Sequence, residues 1–312
     1  MSSAPLVSVL MPVYNAERFL AQAVESILTQ SFVDFEFLIT NDGSRDRSLQ
    51  ILAAYAARDS RIRLLNRENK GVIYTLNEML DRARGTFIAR MDADDIAKPD
   101  RLAWQVQSLQ QHPELVCVGG AFDLIDPQGR IVMTATMPQH NDEIQQKLLS
   151  GQTIINHPCM LIRRSALLQV GGYDPTMRTV EDLDLLLRLG EIGELANLPQ
   201  VVLQYRFHMN SVSAQNIVLQ TQMAREACQR AWTRRGINGV YDSPQPWFRP
   251  SPDPDSRQQF FHRYGWWAFG NGFRGTAAGC GLRAIAAKPT TLESWKLLVC
   301  SLVKPIPHSR SV

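Results

Sequence analysis

Several things are scarce in this sequence, and each scarcity closes a door. Net charge is small, +3 over 312 residues, and no basic stripe alternates with aromatics. That is too little to imply a nucleic-acid surface. Cysteines are few and scattered: Cys117, Cys159, Cys228, Cys280 and Cys300 are odd in number, and no pair has metal-knuckle or redox spacing. They are expected to be reduced thiols of a cytosolic chain. No apolar run approaches the roughly 20 residues that span a bilayer. Met1-Ser2-Ser3-Ala4-Pro5 has no basic n-region, so no signal peptide is expected. Neither G-x-G-x-x-G nor a Walker loop opens any expected helix, which removes the fingerprint of nicotinamide and P-loop enzymes. A diphosphate bound here would need a metal ion to carry much of its charge.

What is present is an alternation of apolar β-prone runs with helical patterns. Leu6 to Met11 reads as a strand ended by Pro12-Val13-Tyr14-Asn15. Asn15 is placed to N-cap a helix whose apolar face is Phe19, Leu20, Ala23, Val24, Ile27 and Leu28. Phe35 to Thr40 is a second strand, closed by Asn41-Asp42-Gly43-Ser44, with a helix to about Arg58. Ile62 to Leu65 is a third strand, followed by Asn69-Lys70-Gly71 and a helix to Arg84. Such βαβ repetition predicts an α/β fold with a mostly parallel sheet flanked by helices. Ligands in such sheets sit at the carboxyl ends of the strands, so these polar loops should line one crevice.

The fourth strand, Thr86 to Ala89, delivers Arg90-Met91-Asp92-Ala93-Asp94-Asp95. At strand spacing Asp92 and Asp94 point to one side. Two carboxylates that close repel unless a cation lies between them, and oxygen ligands suit Mg²⁺ or Mn²⁺. The plainer reading is an acidic surface loop in which Asp95 or Asp100 N-caps the next helix.

Beyond this point the pattern changes. Leu115 to Val118 is a strand, and Phe122 to Ile125 with Ile131 to Thr134 flank the hairpin turn Asp126-Pro127-Gln128-Gly129. Cys159 to Ile162 is a short strand, and Glu181-Asp182-Leu183-Asp184 opens a helix with acids in its first turn, as the helix dipole favours. Val201 to Phe207 is a strand ending at His208, and residues about 214 to 235 form a long helix. The domain reading is a catalytic domain over 1–236, a linker rich in Pro, Ser and Asp over 237–256, and a helical tail over 257–312, loosely like one tetratricopeptide-type helix pair.

Five motifs in order, Val9 to Asn15, Asn41 to Asp46, Glu68-Asn69-Lys70-Gly71, Met91 to Asp95, and Glu181 to Asp184, resemble family 2 glycosyltransferases of the GT-A fold. The likeness covers roughly residues 5 to 215 and leaves the tail outside it. It implies a nucleotide-diphospho-sugar donor, UDP-linked on family frequency, a divalent cation and inversion at the anomeric carbon. By the same resemblance Pro12, Tyr14 and Asn15 belong to the nucleoside pocket, and Asp42 holds the uracil and ribose side. Asn69, Gly71, Asp92, Ala93 and Asp94 complete the donor site, with Asp92 and Asp94 as its Asp-x-Asp. Asp182, with Glu181 beside it, falls where the family places its catalytic base. Arg45 and Arg47 stand where the family often has a small residue, and read as surface variation. The absence of a Gln-x-x-Arg-Trp signature and of membrane helices points away from processive synthases and toward a single addition. The acceptor is expected to be a glycan or a lipid-linked molecule.

The chemistry agrees with these residue types. Inverting transfer needs a base for the acceptor hydroxyl and a cation for the departing diphosphate. Glu181 and Asp182 also have a structural reading, as helix N-terminal acids. Asp184, two residues on, faces away. His157 could touch either substrate or be a structural histidine. His208 is a candidate third metal ligand beside Asp92 and Asp94, with Arg206 able to neutralise the diphosphate. Arg90 and Arg178 could pair with phosphate or with a neighbouring carboxylate.

Two rival readings make different demands on the sequence. A nucleotidyltransferase would carry a glycine-rich basic loop where Pro12-Val13-Tyr14-Asn15 stands. A non-catalytic nucleotide-sugar binder would have lost an acid position, and Asp92, Asp94, Glu181 and Asp182 are all kept. In the tail, Leu292, Trp295, Leu298, Val299 and Leu302 share one helical face with Lys296 and Lys304 nearby. The stripe fits a cytoplasmic enzyme with peripheral contact at the inner face of a membrane, or packing on the catalytic domain.

Overall fold

The computed structural model describes residues 4–207, 217–242 and 253–305. His208 and half of the expected linker, residues 243–252, therefore lie outside the described residues.

The amino-terminal half folds as the alternation predicts. β1 (Val7–Val13), β2 (Phe35–Asp42), β3 (Ile62–Arg67) and β4 (Phe87–Arg90) are parallel, in the order β3-β2-β1-β4. β1, β2 and β4 are almost wholly buried, as continuous apolar runs in a helix-covered sheet should be. α1 (Leu20–Leu28), α2 (Ser48–Ala56) and α3 (Val72–Arg82) connect them. The sheet continues with antiparallel strands: β8 (Leu161–Arg163) pairs β4 and β6 (Leu115–Ile125) pairs β8. β9 (Glu194–Arg206) follows, and the two-residue β5 (Ile96–Ala97) pairs with it in antiparallel register. β7 (Ile131–Ala135) pairs β6 off this path.

The chain divides into two compact units. The first holds residues 1–122, 136–204 and 218–244. Its core joins Leu10 and Ile88 of the sheet with Leu76 and Met79 of α3 and with Leu183, Leu186 and Leu187 of α7 (Glu181–Leu189). α4 (Arg101–Gln111), α5 (Asn141–Leu149), α6 (Arg164–Gln169) and α8 (Ile217–Arg235) complete it. The second unit holds residues 123–135, 205–217 and 245–312, so it draws in the hairpin as well as the tail. In it α9 (Pro254–Gly270) and α10 (Arg274–Ala287) pack around an aromatic core with α11 (Leu292–Val303) beside them. Phe207 stacks on Phe260 and Tyr264 with ring centroids 5.3 and 4.9 Å apart.

Four local expectations are corrected. Leu115 to Ile125 is one uninterrupted strand rather than two, with Gly119 and Gly120 taking extended conformations inside it. The tail is three helices rather than one helix pair. Asn15 does not cap α1, which starts only at Leu20 after Phe19; Asn15 instead adopts φ +50°. Finally, Leu292, Trp295, Val299 and Leu302 are solvent-exposed rather than packed away, while Leu297 on the opposite face is buried. Among the described residues no helix is long and apolar enough to cross a membrane.

Candidate active site

The site is built from loops at the carboxyl ends of the parallel strands. The β1 and β2 loops are laced together by backbone donors and side-chain acceptors. Ser44 Oγ accepts from the Asn15 N–H at 2.9 Å, and Asn15 Oδ1 accepts from the Arg45 N–H at 2.8 Å. Ser48 Oγ accepts from the Ala16 N–H at 3.0 Å, and the Asp46 carboxylate accepts from the Glu17 N–H at 2.9 Å. The Arg47 N–H reaches the Glu17 carboxylate at 3.0 Å. The positive φ of Asn15 turns its amide oxygen to this task, a geometry asparagine tolerates better than most residues. The Arg45 and Arg47 backbones thus belong to the lacing, although their side chains extend from an exposed loop. Tyr14 is half exposed, with its ring free for a ligand to stack on.

Asp42, at the end of β2, is buried and fully engaged. Its carboxylate accepts the N–H groups of Lys70 and Gly71 at 2.9 and 3.0 Å and is paired with Arg67. Asn69 donates to the Asp42 carbonyl at 2.8 Å. Asp42 therefore shapes the Asn69-Lys70-Gly71 loop directly. Gly43 has φ +75°, and a Cβ there would lie 2.6 Å from the Asn69 nitrogen, so only glycine lets the two loops approach this closely. A cleft of about 820 Å³ opens beside this loop, lined by Lys70, Gly71, Tyr74, Asn77, Pro175 and Arg178 among others.

The acid loop departs from the strand geometry expected of it. β4 ends at Arg90, and Asp92 to Asp95 form a turn. Because the backbone turns, Asp95 joins the other two: carboxylate oxygens of Asp92, Asp94 and Asp95 all lie within 4.8 Å of one another. Asp95 is buried and does not cap the next helix; the residue at the N-cap of α4 is Asp100, which makes no side-chain cap bond. Arg101, buried at the start of α4, donates to the Arg90 carbonyl at 2.8 Å and steadies the loop from behind. Burial pushes the Asp92 carboxyl above the ordinary range, Asp94 adds to the push, and Arg90, ion-paired to Asp92, opposes it. Three hard oxygen donors strained against one another fit a divalent cation such as Mg²⁺ or Mn²⁺.

The second acidic group begins α7. Glu181 and Asp182 open the helix, and Asp182 Oδ1 accepts from the Leu183 N–H at 2.8 Å. Burial, then the charge of Asp182, pushes the Glu181 carboxyl up to about 8, with Arg90 opposing and Asp92 adding. The Asp182 carboxyl is raised as well, first by burial, with Asp92 again adding and Arg90 opposing. Asp92 and Arg90 thus act electrically on both residues across the same space. Asp184 is spoken for: it is buried and bonded to Arg188 at 2.6 Å, as its opposite helical face foretells.

Two residues gain clear surroundings. His157 sits in a 3₁₀ turn (His157–Cys159), buried, with Nε2 2.9 Å from the Tyr173 hydroxyl and Nδ1 3.7 Å from Glu181. Burial and then Arg90 hold its pKa well below the usual imidazole value, so it is neutral. Arg206, expected to neutralise a diphosphate, is instead buried in the second unit and donates to the Asp126 and Pro127 carbonyls at 3.3 and 3.4 Å. Sequence reasoning missed Asp95 as a cluster member and Tyr173 as the partner of His157. The run of three acids in Asp92-Ala93-Asp94-Asp95 was the available signal for the first, and nothing marked the second.

A parallel nucleotide-type sheet with acids at its strand ends and a second acid pair on α7 defines a GT-A glycosyltransferase. Residues 8–171 match the family model described as glycosyl transferase family 2, just over half of the chain. The chain belongs to that family. It is 38% identical over 201 residues to EpsE of Bacillus subtilis, named as a glycosyltransferase, covering 62% of this chain and 69% of EpsE. Among solved structures, the mannosyltransferase PcManGT from Pyrobaculum calidifontis, in complex with GDP-Man and Mn²⁺, superposes with TM-score 0.59 at 19% identity, covering 98% of this chain and 83% of that one. S. aureus TarS 1-349, in complex with UDP-GlcNAc, superposes with TM-score 0.56 at 15% identity, covering 95% and 79%. Chondroitin and hyaluronan synthases of Escherichia coli and Pasteurella multocida also match, and the chain spans only 22 to 34% of their length.

Proposed function

We propose that this glycosyltransferase inverts the anomeric carbon as it moves one sugar from a nucleotide-diphospho-sugar, a UDP-sugar first among the candidates, to a glycan or lipid-linked acceptor in the cytoplasm. The supporting observation is the pairing of two acidic groups with different work. Asp92, Asp94 and Asp95 form an oxygen-rich cluster suited to a divalent cation and diphosphate, and Glu181 with Asp182 forms a partly buried pair whose carboxyls are raised. The cation, when bound, neutralises charge growing on the leaving diphosphate.

The remaining work falls to the chain itself. Tyr14 and the Asp42–Gly71 loop cradle the nucleoside. Glu181 or Asp182 accepts the proton of the acceptor hydroxyl, and burial makes either carboxylate more basic than it would be in water. PcManGT and TarS were solved with different donors, GDP-Man and UDP-GlcNAc. The donor is therefore tested directly: thermal melting with UDP- and GDP-sugars, with and without Mn²⁺, in wild type and Asp94→Ala. A Mn²⁺-dependent rise with a UDP-sugar, lost in Asp94→Ala, is expected. A rise with no nucleotide sugar, or one untouched by Asp94→Ala, refutes the donor site. Asp182→Asn should keep the donor-induced rise but lose about 10²–10⁴ of transfer rate.

A further inference from the structure

α11 has two apolar faces, and the fold uses one. Leu297, with Ser294 and Ser301, is buried on the inner face, where Ser294 Oγ accepts from Gln258 at 2.8 Å. The outer face carries Leu292, Trp295, Val299, Leu302 and Val303, at helical spacing i, i+3, i+7, i+10 and i+11, all exposed, with Leu292 at 81% and Val303 at 74%. The Trp295 indole N–H donates to the Pro289 carbonyl at 2.9 Å, which holds the half-exposed ring in a fixed place in the row. α10 lies against this helix, since a Cβ on Gly281 would meet Leu298 at 3.1 Å, and the next residue, Leu282, is exposed too.

A solvated helix that keeps apolar residues on its outer face is covered by something. Charge identifies the cover. Residues 274–305 carry Arg274, Arg283, Lys288, Lys296 and Lys304 against Glu293 alone. Lys296 and Lys304 are exposed at the edges of the apolar row, Lys296 3.7 Å from the equally exposed Glu293, while Lys288 is paired with Asp255 at 2.8 Å and Arg283 is bound to Asp126 and Gln128. A two-fold pair of this chain would bring two copies of one cationic flank together. An apolar strip bearing a tryptophan and rimmed by lysines instead matches an anionic bilayer surface, with side chains in the acyl boundary and ammonium groups among the headgroups.

We infer that α11 docks the second unit on an anionic lipid surface as an interfacial helix lying in the membrane plane. A lipid-linked acceptor would then be met at the surface where it resides.

The test uses the full-length protein and no sugar donor, so its outcome is independent of the transfer reaction. Sedimentation is measured with vesicles of phosphatidylcholine alone and with one part in three of phosphatidylglycerol. Wild type should pellet with the anionic vesicles, and its partition should fall about tenfold or more with neutral vesicles or high salt. Leu292→Ser/Val299→Ser/Leu302→Ser and, separately, Lys296→Glu/Lys304→Glu should each lower the partition about tenfold or more with unchanged melting. These side chains are exposed, and the charge-reversal variant covers the case in which the serine variant folds poorly. Wild type left in the supernatant with anionic vesicles, or both variants binding as wild type does, overturns the proposal. A dimer in light scattering that the serine variant dissociates, with no vesicle binding, assigns the face to a second copy and overturns it equally.

Discussion

The imidazole of His157 stands between Tyr173 and Glu181, 2.9 Å from the phenol oxygen on one side and 3.7 Å from the carboxylate on the other. In the tautomer whose Nε2 accepts from the phenol, the proton is on Nδ1, the nitrogen nearer Glu181. The neutral ring lies beside the carboxylate proposed as one of the two candidate bases. Tyr173→Phe removes only the hydroxyl from a buried site. It should lower kcat about tenfold with little change in the donor KM, as loss of a supporting hydrogen bond does. An unchanged kcat would show that Tyr173 serves packing alone.

The acid limb of the pH–rate profile follows from the same residue. A base must be ionised, and burial with the Asp182 charge pushes Glu181 up to about 8. If Glu181 is the base, kcat/KM should climb as pH rises through about 8, and the limb should vanish in Glu181→Gln. Survival of the limb in Glu181→Gln and its loss in Asp182→Asn would give the role to Asp182. Stability has the opposite sign. A carboxyl raised in the folded state favours folding in its protonated form, so it costs stability as pH rises above the ordinary carboxyl value toward 8. Glu181→Gln should therefore melt higher than wild type at pH 7 and not at pH 4.

Glu36 provides the contrasting case. It is buried, and burial by itself would raise its carboxyl, but the Arg84 N–H, Arg63, Ser8 and the Arg84 side chain bring it below the ordinary value. Its contribution is present above the unfolded-state pKa and is lost as pH falls through the folded-state value. Glu36→Gln should cost about 2 kcal/mol at pH 7 in chemical denaturation, and less as the pH approaches 3. A pH-independent difference would show that the charge is not what matters.

Asp95→Asn tests the third member of the cation cluster. The Mn²⁺ concentration for half-maximal transfer should rise about tenfold to a hundredfold, with melting close to wild type in the absence of metal. Asp100→Asn, at the neighbouring helix start, should leave it unchanged.

Gly43→Ala should cost about 1–2 kcal/mol for the left-handed backbone alone. It should cost more where the new Cβ presses on Asn69, and should weaken nucleotide binding seen by calorimetry.

Much of this was legible in the chain. Period and loop chemistry located β1 to β4 and their polar ends, because buried parallel strands are written as continuous apolar runs. Asp92 and Asp94 stood out as paired acids after a strand, while Glu181 and Asp182 were singled out only by the family resemblance, their own pattern being that of helix N-terminal acids. Asp95 was not, because a turn after Arg90 and an extended strand carry the same residues. Tyr173 was hidden for a different reason: its partner is 16 residues away, and no period links a buried phenol to a histidine in a turn. The exposure of α11 was equally invisible, since an apolar stripe looks the same whether covered or not.

The reciprocal bonds between Asn15, Glu17, Ser44, Asp46 and Ser48 have a consequence for affinity. They make two loops from different strands move as one body. The conformational freedom a donor would otherwise have to freeze on arrival is already lost when the chain folds, so more of each contact with the nucleotide is realised as binding free energy. Cutting one strand of that lacing, as in Ser44→Ala, would leave every donor-facing side chain in place and still loosen the grip.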